Sequence, residues 1–327
     1  MCIRVFLVFL SLFAGRAALS ATELQQLNFG VISTESNANL RERWEPVLSD
    51  MAKAIGVPVK GFYVTDYNGV IEGMRFNKVQ VAWLGNKSAM EAVDRSNAEI
   101  FAQMVHTDGT CGYYSVLIAR KDHPSIKTLD DVFAQAKTLS FGNGDPNSTS
   151  GFLVPGYYLF SKRNVDPKQI FKIVTTNNHE GNLLAVLNHQ LDVATCNTEL
   201  FTKFEARFPG RISKEINVLW TSPMIPSDPL VYRRDLPEAL KTRIRDFIFA
   251  YGKTPGEKAN LKNVNDLSQF RPSSNDQLAT IRQLELAKAK TAIQADTSLD
   301  QQTRDAKVRE IDQKLENLNK LVNGEVR

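Results

Sequence analysis

From Leu27 onward, short apolar runs alternate with amphipathic stretches at helical spacing. LNFGVIS, VKGFYV and VQVAWLG read as strands, with helices over Asn37 to Ile55, Tyr67 to Phe76 and Ser88 to Arg95. Such βαβα alternation predicts a mostly parallel sheet with helices on both faces. IFAQMVH and YYSVLIA continue as strands, and a turn at Asp122 to Pro124 leads to a helix beginning near Leu129. A second round runs through TLSF, a helix started by Ser-Thr-Ser, FKIVT, a helix after Asn178, and LDVATC. NVLWTSP and DPLVYRRD then read as a return toward the first lobe, followed by a helix from Pro237 to Tyr251. The expected class is α/β with two lobes joined by more than one crossover. Ligands of such folds sit where loops at the carboxyl ends of the strands meet.

The expected boundaries are 26–118 plus 226–275 for lobe 1, 119–225 for lobe 2, and 276–327 for a helical C-terminal extension. In the extension, Val308, Ile311, Leu315, Leu318 and Val322 recur at steps of three and four, a short seam. The seam can pack on its own lobe or pair two chains as a homodimer, and its length leaves both open. At the other end, Arg4, the apolar run Val5 to Ala14 and the small residues Ala17, Ala18, Ser20 and Ala21 have the layout of a secretory signal. Cleavage is expected near Ser20 or Ala21, making 1–21 a signal peptide and the mature chain periplasmic. The run is about ten residues, half of the roughly twenty that a spanning helix needs.

Composition narrows the chemistry. A net charge of +4 over 327 residues, with no Lys/Arg block, gives no footprint for nucleic acid or an anionic membrane. His106, His123, His179 and His189 are scattered and no CxxC, HxH or HExxH pattern occurs, so neither a metal nor another cofactor is expected. With Cys2 ahead of the apolar run, Cys111 and Cys196 are the cysteines left after export, an even pair that can form a disulfide or stay as two thiols.

The densest chemistry lies in GNGDPNSTSGFLVPGYY, Gly142 to Tyr158. Gly142, Gly144, Asp145 and Pro146 are turn residues, Asn147 or Ser148 can cap a helix, and Ser148, Thr149 and Ser150 crowd hydroxyls at its start. A helix start has unpaired amides and partial positive charge, so it can hold a phosphate-like anion without Lys or Arg. An empty cap is the plainer alternative. A phosphate loop is excluded because no Lys follows Gly151, and a hydrolase elbow because Asn147 and Thr149 stand where Gly and Ser are required.

Together with LNFGVISTES, GMRFNK, SAMEAVDRSN and NHEGNLLAV, this motif closely resembles the substrate-binding protein of the phosphonate ABC transporter, from about Leu27 to about Gln283. The resemblance implies a type II periplasmic-binding fold, no catalysis, and delivery of a phosphonate, foremost 2-aminoethylphosphonate, to an inner-membrane permease. By the same resemblance Ser148, Thr149, Ser150, Tyr67 and Tyr113 hold the phosphonate. Glu199, Asp228 and His179 form the amine end and the pocket. Two carboxylates beside an anion repel it unless a cation joins them, and a zwitterion brings its own. Tyr114 and Leu84 depart from the family pattern, so the wall around the carbon chain is expected to differ. Phosphite or methylphosphonate is the alternative ligand. A phosphonate hydrolase built on His179 lacks a nucleophile and a metal constellation.

Overall fold

The computed structural model describes residues 24–322; the expected signal segment and Cys2 lie outside them. β1 (Leu27–Val31), α1 (Asn37–Ile55), β2 (Val59–Tyr63), α2 (Tyr67–Arg75), β3 (Val81–Trp83), α3 (Asn86–Arg95) and β4 (Ala98–His106) succeed one another as the alternation predicts. α1 shows why. Leu40, Trp44, Val47, Leu48, Met51 and Ile55 return to one face every three or four residues, and all are buried. Ser36 caps its start by accepting from the Asn39 amide, and Gly56 ends it at φ 68°, where a side chain would be strained.

The chain then crosses at β5 (Gly112–Tyr113) into a second sheet. That lobe contains β6 (Ser115–Arg120), α4 (Leu129–Gln135), β7 (Ser140–Gly144), α5 (Pro167–Ile170), β8 (Ile173–Asn177), α6 (His179–Leu187), β9 (Val193–Asn197), α7 (Thr198–Arg207), α8 (Arg211–Glu215) and β10 (Ile216–Thr221). The return strand β11 (Ile225–Pro226) lies antiparallel to β5. β12 (Pro229–Arg233), α9 (Glu238–Ala250), α10 (Pro255–Asn265) and β13 (Leu267–Pro272) complete the first lobe. The strand orders are β13-β4-β12-β3-β1-β2 and β10-β6-β9-β7-β8.

Three expectations need correction. The sheets are mixed instead of mostly parallel, because β12 returns between β3 and β4 antiparallel to both and β6 runs antiparallel to β9 and β10. All of β6 belongs to the second sheet, so the first crossover falls before Ser115 and not at 118. α10 and β13 went unread, although Thr254 and Glu257 form a capping box with Pro255 at the first helical position.

Each lobe has its own core. Trp44 lies between Phe29 and Trp83, with ring centroids 5.1 and 5.5 Å away, while Phe141 packs on Phe160 and Phe171 at 5.4 and 4.8 Å. Full burial of such a side chain stabilises by about 1.5–3 kcal/mol, so each lobe holds together largely on its own, with Leu153 of the second lobe packed into the first core. Polar groups can therefore occupy the cleft. The extension forms a hairpin of α11 (Ala279–Ala295) and α12 (Gln301–Val322), tied by Gln283 to Asn319 at 2.7 Å. The seam packs against α11 of the same chain: Ile311 is buried and Val308, Leu315 and Leu318 are half-buried, while the Val322 side chain lies outside the described residues. α11 also lies across both lobes, pairing Glu285 with Lys87 at 3.5 Å and placing Lys288 4.2 Å over the Phe152 ring. Among the described residues no helix is long and apolar enough to cross a membrane.

Candidate functional site

Strand β7 ends at Gly144, and the turn after it brings Ser148 to a cap position, where its Oγ accepts from the Gly151 amide at 2.9 Å. In place of the predicted α-helix the chain forms two wider, π-helical turns over Thr149–Leu153 and Gly156–Phe160. The width has a local cause. A Cβ on Gly144 would lie 2.5 Å from the Gly151 backbone, so strand and turn touch where no side chain fits. Ser148, Thr149 and Ser150 are all buried. His179, at the start of α6, stands 3.4 Å from Ser148 Oγ and 3.2 Å from Ser150 Oγ through Nε2, and its buried Nδ1 has no partner. Burial, reinforced by the Lys203 charge, pushes its pKa down to about 3, so the ring is neutral. Tyr67 opens α2 beside Ser148, Asp145 and Asp228, and burial among those carboxylates holds its phenol well above the ordinary value. No Lys or Arg side chain hydrogen-bonds to these hydroxyls among the described residues.

The opposite side is acidic. Asp228, in the turn before β12, accepts from Trp83 Nε1 at 3.1 Å and from the Tyr113 hydroxyl at 3.0 Å. Burial, and then the nearby Glu199 charge, drive its pKa well above the ordinary carboxylate range despite those two bonds. Glu199 sits in the first turn of α7, which Asn197 caps, and its Oε1 accepts from Asn265 Nδ2 at 2.7 Å. His106 Nε2 is 3.4 Å from the same oxygen. A Cβ placed on Gly85 would be 3.3 Å from Thr149 Oγ1 and 3.8 Å from Asp228 Oδ1. The hydroxyl cradle and the carboxylate thus approach each other across Gly85.

This constellation coincides with a family. A family model described as the periplasmic substrate-binding protein of the phosphonate ABC transporter matches residues 29–278. The chain belongs to that family. It is 50% identical over 322 residues to the phosphonates-binding periplasmic protein of Escherichia coli, covering 97% of this chain and 94% of that one. A Pseudomonas aeruginosa binding protein component of an ABC phosphonate transporter superposes with a TM-score of 0.88 at 49% identity, covering 92% of this chain and 98% of that one. A Prochlorococcus marinus protein in complex with methylphosphonate shares the fold, with a TM-score of 0.70 at 23% identity over 81% of this chain and 99% of that one. As a member of this family the protein is a periplasmic solute-binding component of an importer, not an enzyme, with a phosphonate ligand and a membrane transporter as partners.

In this family member the lobes meet across the cleft through polar contacts. The Lys87 amide donates to Thr149 Oγ1 at 2.8 Å, and Glu180 accepts from the Ser36 amide at 2.7 Å and from Asn39 Nδ2 at 2.8 Å. Glu35 is buried with Lys203 at 2.7 Å and Arg43 at 3.3 Å; burial opposes its charge, yet the two cations hold its pKa below the ordinary value. Breaking such a buried group costs about 3–5 kcal/mol, so these contacts act as a clasp for the closed lobes. None of Glu35, Glu180 and Lys203 stands out in the sequence, because isolated charges at or within helices look like ordinary surface residues.

The possible disulfide between Cys111 and Cys196 does not form. Cys196 faces inward from β9 among Val116, Leu183 and Val186, its Sγ 3.8 Å from the His179 carbonyl oxygen, and burial pushes its pKa up to about 12. Cys111 lies half-exposed in the loop before β5, and both are free thiols. Leu84 is buried in the lobe 1 core and Tyr114 is exposed beside a cavity of about 440 Å³, which His106, Tyr113, Glu199 and Asn265 also line. A larger depression of about 800 Å³ between α1, α9 and α10 contains no cleft residue.

Proposed function

We propose that the protein captures aminated phosphonates, with 2-aminoethylphosphonate the best fit, by closing its lobes on the ligand. One observation carries this reading: two carboxylates, Glu199 and Asp228, are buried with neither paired to Lys or Arg among the described residues, and Asp228 approaches the cradle of neutral donors across Gly85. Ser148, Thr149, Ser150 and Tyr67 are assigned to the phosphonate oxygens, and Tyr113 joins them by turning its hydroxyl away from Asp228 when the ligand enters. Glu199 and Asp228 receive the ammonium, and neutral His179 orients the cradle hydroxyls. Unit charges of like sign repel by about 4 kcal/mol at about 4 Å and an effective dielectric of about 20. An anion without an amine is repelled by whichever carboxylate is charged and leaves Asp228 uncharged, whereas the zwitterion draws out both charges and leaves each partnered.

A second reading, a small oxyanion such as methylphosphonate or phosphite, is favoured by the methylphosphonate complex of the distant Prochlorococcus relative. Native mass spectrometry of ligand-free protein in an equimolar mixture of 2-aminoethylphosphonate, methylphosphonate, phosphite and phosphate separates the two. The expected complex carries 2-aminoethylphosphonate alone; predominance of any other ligand would reject the amine assignment. Removal of the signal near Ser20 or Ala21 is proposed alongside, and the mature mass reads it directly.

A further inference from the structure

The amine end of the cleft holds a group that the zwitterion reading leaves unused. His106 closes β4 and is buried there. Its Nδ1 is 3.3 Å from the Asn265 carbonyl oxygen, which can only accept, so the neutral ring keeps its proton on Nδ1. Nε2 is then a bare lone pair 3.4 Å from Glu199 Oε1, not aligned for a hydrogen bond and without any other partner. Asn265 meets the same oxygen with its donor Nδ2, and its buried Oδ1 has no partner. An acceptor facing a carboxylate repels it unless a donor enters between them. An ammonium has three N–H groups, and two carboxylates use only two of them.

We propose that His106 determines selectivity for an ammonium-bearing ligand: as a neutral ring it accepts the third ammonium N–H, and as an imidazolium it takes the ammonium's place against Glu199. The inference rests on the aminated-phosphonate reading above.

The groups facing His106 come from several elements: Glu199 on α7, Asp228 before β12, Asp108 in the turn after β4, and Asp266 at the end of α10, with the phenol of Tyr113 nearby. Burial favours the neutral ring, but the Glu199 carboxylate, the Asn265 carbonyl and Asp108 outweigh it, so the pKa stands above the ordinary 6.5. Above that pKa the ring is neutral and the preference for an amine is complete; as pH falls through it, the imidazolium fills the amine subsite. Below it the preference should fall about tenfold per pH unit, since only the deprotonated fraction is competent.

Calorimetric affinities for 2-aminoethylphosphonate and ethylphosphonate, taken between about pH 5.5 and 8.5 where histidine titrates, test this in the wild type and in His106→Gln. The wild-type affinity ratio should drop more steeply toward low pH than the ratio in His106→Gln, which keeps only the titration of the ligands and of Asp228. Ligand titration is common to both proteins and cancels. A parallel decline in both would overturn the role of His106. A wild-type ratio near one at every pH would instead overturn the aminated-phosphonate reading itself. NMR titration of the wild-type ring needs no variant: the His106 pKa should be lower with 2-aminoethylphosphonate bound than with ethylphosphonate bound, and equal values would overturn the inference.

Discussion

Asp228→Asn should weaken 2-aminoethylphosphonate binding by about 2–5 kcal/mol, roughly thirty- to several-thousand-fold, while ethylphosphonate affinity changes by less than about tenfold. The substitution keeps the shape of the side chain and removes only its ability to carry charge. In the empty protein that loss is small, because burial and Glu199 already favour the uncharged carboxyl. An amide oxygen can still accept from Trp83 Nε1 or Tyr113, the two donors that hold Asp228. The ammonium, by contrast, loses one of its two formal counter-charges inside a buried site. Calorimetry with both ligands measures the difference, and a thermal melt of the empty variant checks that the fold persists. Equal losses for the two ligands would mean that Asp228 supports the pocket without meeting an amine.

Gly144→Ala should abolish binding of every phosphonate, by more than about hundredfold, and lower the melting temperature. The added Cβ would fall 2.5 Å from the Cα and carbonyl carbon of Gly151, and backbone cannot rotate away as a side chain can. Overpacking of this kind costs about 1–3 kcal/mol or more. Here relief requires β7 and the π-helical turn to separate, which moves Ser148, Thr149 and Ser150 together. Gly256→Ala is the control, because nothing lies within 4 Å of a Cβ at that position. It should leave binding unchanged and should not lower stability. Retained affinity in Gly144→Ala would remove the cradle from the account.

Much of the fold was legible because its elements obey simple periods. α1 spans Asn37–Ile55 as its apolar spacing implies, and β1, β9 and β12 coincide with runs of buried residues. What escaped lacks that signal. α10 buries only Leu261, Val264 and Asn265 along an otherwise polar face, and β13 is an edge strand that buries only Leu267 and Phe270, three positions apart. The π-helical turns go with Gly144 meeting Gly151, a backbone contact that apolar periodicity does not register. The two antiparallel returns, β6 and β12, result from the chain crossing twice between lobes.

The site was legible only where residues cluster in sequence. Ser148, Thr149 and Ser150 announced themselves as a triplet, and the resemblance supplied Tyr67, Tyr113, His179, Glu199 and Asp228, which the fold gathers into one cleft. Trp83, His106 and Asn265 were missed because each acts through a partner far along the chain. Asn265, for example, reaches Glu199 from a helix the pattern did not reveal. Cys111 and Cys196 show the converse, since an even count in an exported chain permits a bridge that β9 precludes by turning Cys196 into the core.

The central claim is that the cleft is complementary to a zwitterion and not to an anion alone. The most direct test is calorimetry of the wild-type protein with 2-aminoethylphosphonate and with ethylphosphonate at about pH 8.5, above the ordinary range in which histidine titrates. Tighter binding of the aminated ligand by at least about hundredfold, near 3 kcal/mol, is the predicted result. Equal affinities would contradict it.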